Sequence, residues 1–550
     1  MRRDPKIDIF ASCLSFILSI SISSALVAAQ PNPEAPVRLI PGLGEVHHPV
    51  STRNKQAQQF FDQGLKLVYG FNHDEARRSF MRAAELDPKL AMAHWGIALT
   101  LGPNYNLPVD PERERAGFDA VQRAVALQGN ASEPERAYIT ALSVRYSNDP
   151  TADLHAFDRA YKDAMGKLAA HYPDDLDAAT LYAESAMNLN PWKLWTADGK
   201  PAEGTEEIVA TLESVLKRDP NHLGANHYYI HAVEASLHPD RALPSAARLE
   251  KLAPAAGHLT HMPAHIYARV GDHSASAHCN EAAVAADKKF LSETREQGVY
   301  RMMYYSHNLH FLAFASCMDG DFPKAKDAAA KLVANVAPGV QAMPDLEGFL
   351  PTPLIVLAAF ERWEDLIKSS APDASFVTTT AVWRALRGVA LANTGKTAEA
   401  EQEQKQFRDL AAKIGPDKMY DPLNKVAAVF KIHDNLLTSA IARSRHDDNA
   451  AIESLKQAVA AEDALNYSEP PAWYPPVRPI LGKLLLAANR AVDAEKVFRD
   501  DLERNPRDGR ALAGLRDCLN AQGRKYEADQ IDQQYRASWK VADATNASKR

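Results

Sequence analysis

Histidine is concentrated in one stretch of this 550-residue sequence. Of its 19 histidines, eleven fall between His222 and His310. Three runs carry most of them: NHYYIHAVE, GHLTHMPAHIYARVG and YYSHNLHFLAFASCMDG. Neutral imidazole is a strong ligand for zinc, copper, iron and nickel. The crowding therefore indicates a transition-metal site.

The spacing within each run places these side chains on one face of a helix. The first run has the pattern i, i+4, i+7, the second i, i+3, i+7, and the third i, i+3. Side chains at such spacings lie about 5–6 Å apart at Cβ, close enough to converge on one ion. The candidate metal ligands are His227, His231, Glu234, His258, His261, His265, His307 and His310.

Eight candidate ligands exceed the needs of one tetrahedral ion, so either one open site or two ions would fit them. A single carboxylate among many nitrogens argues against a carboxylate-rich di-iron centre. Copper or zinc is therefore favoured over iron. Cys317 and Met318 follow His310 and would suit copper as soft ligands, although core filling is the favoured explanation for both. A polar groove that binds a peptide or an anionic small molecule is the competing interpretation.

Several other histidines need no metal. We interpret His238, His273 and His278 as satisfied polar residues. We expect four others to lie on the surface: His155, His171, His433 and His446. His47 and His48 precede the first helix, and spacing alone does not connect them to the cluster.

Helical hairpins must position these ligands. One unit near the start of the helical region carries Gly64, Ala76, Phe80, Ala83 and Pro88, and a second unit more than four hundred residues later carries Gly482, Ala494, Phe498 and Pro506 in the same register. Small residues allow two antiparallel helices to approach, the phenylalanine fills their seam, and the proline ends the second helix. This pattern resembles the tetratricopeptide repeat (TPR) family. The resemblance implies an all-α solenoid, a right-handed superhelix of helix pairs whose first helices line a concave groove.

Repeat register supports a shared site. Glycine, alanine and proline markers set the first helices of three neighbouring repeats to begin at Leu223, Gly257 and Ser306. Counting forward from Pro220 instead would turn the first of these helices away from the groove, but it does not affect the other two. The candidate ligands then occupy the second, fifth, ninth and twelfth positions of their repeats. In the TPR family those positions point into the groove, so the resemblance implies that all eight candidates project inward.

The N-terminus predicts export. Arg2, Arg3 and Lys6 precede an apolar run over residues 9–29 that ends in small residues, which is typical of a cleaved signal peptide rather than a retained membrane anchor. No second membrane-length apolar segment follows.

The net charge of -7 disfavours nucleic acid as a partner. Three widely spaced cysteines outside the signal do not form a disulfide framework.

Two aromatic loops interrupt the repeats, at residues 190–204 and 467–479. They either serve a function or let Trp192, Trp195 and Trp473 cap hydrophobic seams. The expected organisation is: 1–29 signal peptide, 30–54 extended Pro-rich arm, 55–220 N-terminal repeats, 221–337 His-rich repeats, 338–466 further repeats, 467–540 aromatic loop with C-terminal repeats, and 541–550 tail.

Segments such as GEVHHPVST, GHLTHMPAHIYARVG and EPPAWYPPVR also resemble a bacterial, exported TPR subgroup without a settled activity. The sequence thus predicts a periplasmic or secreted solenoid whose groove binds one or two transition-metal ions. The alternative is a metal-free scaffold for a peptide or protein. No H-E-x-x-H, G-x-S-x-G or phosphate-binding glycine loop is present, so the sequence leaves enzymatic activity and self-association open.

Overall fold

The computed structural model describes residues 35–149 and 151–539. The predicted signal peptide and the predicted tail lie outside these residues. The described part of the chain contains no strand and twenty-five α-helices. The first thirteen are α1 Lys55–Tyr69, α2 His73–Leu86, α3 Ala91–Leu101, α4 Pro111–Leu127, α5 Glu133–Ser143, α6 Leu154–His171, α7 Leu176–Met187, α8 Thr205–Arg218, α9 Leu223–Val233, α10 Leu243–Leu252, α11 Gly257–His261, α12 Pro263–Arg269 and α13 His273–Thr294. The others are α14 Ser306–Asp319, α15 Phe322–Val336, α16 Thr352–Ala359, α17 Trp363–Lys368, α18 Val377–Asn393, α19 Thr397–Ala411, α20 Val426–Ser444, α21 Asp448–Asp463, α22 Arg478–Ala487, α23 Ala491–Arg504, α24 Gly509–Ala521 and α25 Lys525–Ser538.

Sequence-adjacent helices pair as hairpins, and glycine makes the close approach between them possible. Asn54 and Asn72 cap α1 and α2 by accepting backbone N–H groups in the first turn. The Phe80 ring of α2 lies between Gly64 of α1 and Gly96 of α3, where a Cβ would come within 2.6 Å and 2.5 Å of the ring, respectively. Any larger residue at either glycine would therefore displace Phe80 from the seam.

The same arrangement recurs at the other end of the chain. A Cβ at Gly482 of α22 or at Gly514 of α24 would come within 2.5 Å or 2.1 Å of the Phe498 ring of α23. Phe498 is fully buried, as is Phe80. One phenylalanine thus joins its own hairpin to the next, and this unit occurs near both ends of the array.

The three helices that carry the histidine runs begin at Leu223, Gly257 and Ser306, where the repeat markers place them. Two local irregularities occur beside them. Pro263 lacks a backbone N–H and separates α11 from α12. A π-helical turn, Tyr300–Tyr305, leads into α14, and such turns are frequent at functional sites.

The array closes on itself. Helix α1 contacts α9, eight helices further along the chain. Near the C-terminus, Arg510 of α24 donates to the Cys317 carbonyl of α14 at 3.0 Å, and the Trp539 indole donates to the Met318 carbonyl at 3.1 Å. The inner helices α9, α11, α12 and α14 are therefore covered by repeats from both ends of the chain.

Residues 35–54 form an extended arm that joins the first repeat to the His-rich repeats. Gln63 of α1 donates to the Arg38 carbonyl at 2.9 Å, and the Ala255 amide donates to the Gly42 carbonyl at 3.0 Å. Within the described residues, no helix combines the length and apolar character needed to cross a bilayer. Cys279, Cys317 and Cys518 are buried free thiols.

Candidate metal centre

Three histidines form the first of two neighbouring groups. His227 and His231 come from α9 and His258 comes from α11, and one ring nitrogen of each lies within 4.8 Å of the other two. All three side chains are almost fully buried. The Nε2 atoms of His227 and His258 are 3.1 Å apart. We call this group the first triad.

The second triad consists of His261 from α11, His265 from α12 and His307 from α14, with the same 4.8 Å limit between ring nitrogens. His261 Nε2 is 2.6 Å from His265 Nε2 and 3.0 Å from His307 Nε2. His307 is its half-buried member. The two triads are neighbours, because the ring centroids of His258 and His261 are 6.1 Å apart.

Hydrogen bonds fix the orientation of one ring in each triad, His227 in the first and His261 in the second. His227 donates its Nδ1 proton to the Tyr69 carbonyl at the end of α1, at 2.6 Å. His261 Nδ1 lies 2.7 Å from the side-chain oxygen of Asn280, whose own Nδ2 donates to the Ser276 carbonyl at 2.8 Å. Since that bond sets the orientation of the Asn280 amide, His261 donates from Nδ1. The Nε2 atoms of both histidines then carry lone pairs.

Glu234, the C-cap residue of α9, connects the two triads. Its Oε1 accepts from His231 Nδ1 at 2.9 Å and its Oε2 accepts from His265 Nδ1 at 2.7 Å. Glu469, from the loop at residues 467–479, contacts the same Nδ1 atom of His265. Burial raises the pKa of both carboxyl groups well above their usual range, and the charge of Glu234 raises that of Glu469 further.

The contact between His261 and His265 decides the chemistry. A neutral imidazole has one N–H and one lone pair. In both rings Nδ1 faces an oxygen atom, so both protons belong on Nδ1 whenever the carboxyl groups that contact His265 are ionised. Two Nε2 lone pairs then face each other at 2.6 Å, within a buried site, with no hydrogen between them. Such an arrangement is repulsive unless a cation lies beside both nitrogens.

The rings are neutral at physiological pH. Burial, followed by the charge of neighbouring histidines, lowers the pKa of His258, His261 and His265 well below 6.5. Burial also lowers the pKa of His231 to about 3 and that of His307 to about 4. Neutral rings offer the lone pairs that metal ions require.

Aromatic side chains enclose the triads. Phe71 lies 4.6 Å from His227 and 5.6 Å from His258, ring centre to ring centre. Its φ of 54° is unfavourable for a bulky residue and persists only where surrounding contacts hold it. The other walls are Tyr105 at 5.1 Å and Trp192 at 5.8 Å from His231, Tyr304 at 5.0 Å from His258, and Phe311 at 5.1 Å from His261 and 5.0 Å from His265. These side chains wall a buried chamber around the triads, with the half-buried His307 at its exposed side.

His310 lies apart from the other candidates. Its ring contacts Phe349 at 5.4 Å and Tyr474 at 6.2 Å, and it belongs to neither triad. Phe311, one residue later, occupies the face of α14 that meets the second triad. His433 is buried against Trp473 at 5.0 Å, which corrects its assignment to the surface. Cys317 is buried beneath Arg510, and none of the groups of potential ligands found within residues 35–149 and 151–539 includes it.

Sequence reasoning missed several contributors. Tyr69 acts through its carbonyl, which every residue possesses, so no sequence signal could identify it. Glu469 lies in the second of the two aromatic loops that interrupt the repeats, and that interruption was the available signal. Trp192, already named in the first loop, lies against His231. Trp195 caps the end of α9 by donating to the Ala232 carbonyl at 2.7 Å.

A separate acidic cluster lies under the N-terminal arm, beside an open cleft of about 470 Å³. Asp177 accepts from His48 at 2.8 Å, from His222 Nε2 at 3.3 Å and from the Tyr69 hydroxyl. Burial opposes ionisation of Asp177, but the hydrogen bonds of His222 and His48 outweigh it and hold its pKa far below the usual range. These bonds anchor the arm. His47 points outward to Asp62 at 2.9 Å.

The chain was compared with family models, curated proteins and solved structures. No family model matches the chain, and no curated protein matches it. Among solved structures, it aligns with the human IFIT1 dimer with PPP-AAAA (13% identity, 86% of this chain, 88% of that chain, TM-score 0.31) and with yeast Tom70 (10% identity, 91% of this chain, 100% of that chain, TM-score 0.32). A third alignment is with the TPR domain of P58(IPK) (11% identity, 85% of this chain, 98% of that chain, TM-score 0.23).

At these TM-scores the alignments carry no argument, and the fold rests on the helix pairs themselves. The recurrent glycine–phenylalanine seam of α1–α3 and α22–α24 decides it. The chain is a TPR-like α-solenoid. This confirms the predicted fold class, while membership of the exported bacterial subgroup stays a prediction.

Proposed function

We propose that this TPR-like solenoid is a metalloprotein that holds two transition-metal ions, one in each histidine triad. Each ion would be bound by three Nε2 atoms: His227, His231 and His258 for the first, and His261, His265 and His307 for the second. Glu234 would fix one ring in each triad. His310 is not a ligand in this proposal.

The observation that carries the proposal is the 2.6 Å separation of the His261 and His265 Nε2 atoms. Both Nδ1 atoms face oxygen acceptors, so a cation between the Nε2 lone pairs would turn a repulsive contact into ligation. The Nε2 atom of His231 supports the same reading, because it is buried and has no hydrogen-bond partner. A carbonyl, an amide oxygen or a carboxylate behind the ring is the usual support of a metal-bound histidine.

The donor set favours copper or zinc over iron. Six neutral imidazoles and no thiolate suit borderline ions such as Cu²⁺ and Zn²⁺. Three protein ligands leave a further coordination position open on each ion, as catalytic rather than structural sites do. The half-buried His307 marks the accessible side, so water, dioxygen or a small substrate would enter next to the second triad. Catalysis is a proposal that follows from these open positions.

We also propose that the protein is exported, on the basis of the basic head and apolar run at its N-terminus. An alternative role, a scaffold that binds a peptide or protein, would use the outer surfaces of the array. The enclosed chamber between α9, α11, α12 and α14 does not fit an extended peptide, since aromatic side chains cover it.

A metal inventory of protein purified without a histidine tag tests the proposal. We expect two equivalents of copper or zinc per chain by inductively coupled plasma mass spectrometry. The double variant His231→Ala/His261→Ala should lose both equivalents while keeping its helical circular dichroism. The matched control is His278→Ala on α13, outside both triads, which should retain both.

Metal-free protein that also fails to take up added Cu²⁺ or Zn²⁺ would refute the proposal. A proton would then have to lie between His261 and His265, supplied by a neutral carboxyl group at Glu234 or Glu469. The scaffold interpretation would be the one to pursue.

A further inference from the structure

The loop at residues 467–479 is anchored at several points, to α12 on one side and to α20 and the residues before it on the other. Arg269 of α12 stacks over the Tyr467 ring at 5.3 Å, and its Nε donates to the Glu234 carbonyl at 2.9 Å. Asn424 donates to the Asn466 carbonyl at 3.1 Å, immediately before the loop. Further along, Trp473 meets His433 edge-on at 5.0 Å. The loop is therefore held in one place beside the second triad.

These anchors deliver Glu469 to His265. The Glu469 side chain is 4% exposed and contacts the Nδ1 atom of His265. Glu234 already divides its two oxygens between His231 and His265. The two triads therefore differ: Glu234 alone contacts a ring of the first, whereas Glu234 and Glu469 both contact His265 of the second.

From this asymmetry we infer that Glu469 is a positioning residue of the second metal site alone, through which the C-terminal loop sets the metal affinity of His261, His265 and His307. This inference rests on the proposed function of the triads. Glu469 acts behind His265, on the side opposite Nε2, and is not itself a ligand.

Glu469 would affect metal affinity through the two nitrogens of the His265 ring, since a partner at Nδ1 changes the donor strength of Nε2. A carboxylate that accepts from Nδ1 fixes the tautomer, orients the ring and raises the electron density at Nε2. Two buried carboxyl groups also offset part of the charge of a divalent ion in a chamber otherwise lined by neutral rings. Loss of such a partner typically lowers metal affinity 10- to 100-fold. Because Glu234 remains behind His265, we expect Glu469→Gln to lower affinity about 10-fold.

The experiment isolates each triad in the full-length chain. His227→Ala leaves only the second triad intact, and His261→Ala leaves only the first. Zn²⁺ affinity is measured by competition with a chromophoric chelator in both backgrounds, with and without Glu469→Gln. Co²⁺ absorption in the visible range reports the geometry of the ion. Glu453→Gln, on the exposed face of α21, is the matched control.

We expect Glu469→Gln to weaken Zn²⁺ binding about 10-fold and to shift the Co²⁺ spectrum in the His227→Ala background, with no change in the His261→Ala background. Glu469→Asp, which keeps the carboxylate, should recover part of the affinity. Thermal unfolding of the metal-free proteins separates a folding defect from a site defect: a variant that melts like its parent and still loses affinity supports the inference.

Equal affinities with and without Glu469→Gln in the His227→Ala background overturn the inference and leave the two-ion proposal standing. Equal losses in both backgrounds also overturn it, because the loop would then support the fold and not one site. Absence of Zn²⁺ and Co²⁺ binding in the unsubstituted protein overturns the proposed function instead.

Discussion

Removal of His261 should abolish one metal site and leave the other intact. His261 is central to the second triad, with its Nε2 atom 2.6 Å from that of His265 and 3.0 Å from that of His307. The Nε2 atoms of the first triad do not depend on it, because His227 is held by the Tyr69 carbonyl. His261→Ala therefore leaves two nitrogens at the second site and three at the first.

The magnitude follows from binding linkage. An ion that binds only the folded chain stabilises it by RT ln(1 + [L]/Kd), which is about 2.7 kcal/mol at a free concentration 100 times Kd. Two independent ions at that excess stabilise the protein by about 5.4 kcal/mol. His261→Ala should lose about 2.7 kcal/mol of this gain and one equivalent of bound metal.

Chemical denaturation with and without Zn²⁺, followed by circular dichroism, measures the gain, and mass spectrometry of the same samples counts the ions. His310→Ala is the control, because the His310 ring lies against Phe349 and belongs to neither triad. Its removal should leave both the stabilisation by Zn²⁺ and the number of bound ions unchanged. If His310→Ala loses an equivalent and His261→Ala does not, the assignment of ligands by Nε2 geometry is wrong.

Three further outcomes test the fold around the site. Phe498→Ala empties the seam between two hairpins and should cost about 3–5 kcal/mol, measured by denaturant unfolding. Burial and the charge of Asp508 raise the pKa of Asp501 to about 9, so the folded chain holds an extra proton between about pH 4 and pH 9 and loses stability as pH rises through that window. Asp501→Asn should remove this fall in the free energy of unfolding with pH. At pH 8 the variant should be more stable than the parent by on the order of 1–4 kcal/mol, and at pH 5 the difference should be smaller. A difference that does not depend on pH would contradict the reasoning. Asp177→Asn replaces the carboxylate that accepts from His48 with an amide, so amide hydrogen exchange in residues 35–54 should accelerate. Unchanged protection would show that the arm is anchored elsewhere.

Repeat periodicity was sufficient to predict the local structure. The markers placed the starts of α9, α11 and α14, and the glycine–phenylalanine pattern identified the seam that joins hairpins. These features depend on residues within one or two repeats of each other. Spacing also grouped His258, His261 and His265 on α11 and α12, although the structure divides them between two triads.

The closure of the array could not be predicted in this way. His227 meets the carbonyl of Tyr69, 158 positions earlier in the chain, and His265 meets Glu469, which comes from a loop rather than from a repeat. No period relates such positions. His310 shows the same limit: it shares a helix with His307, but the residue one turn later that meets the second triad is Phe311, and the His310 ring lies against Phe349 instead.

The Tyr69 carbonyl has a consequence for any attempt to minimise this protein. A fragment limited to residues 221–337 would contain all six rings of the triads, yet it would lack the backbone oxygen that orients His227 and the carboxyl group behind His265. During synthesis, likewise, the six imidazoles emerge from the ribosome well before residue 469 does. The finished geometry is thus a property of the completed chain, and a nascent or truncated one would present its histidines without their supports.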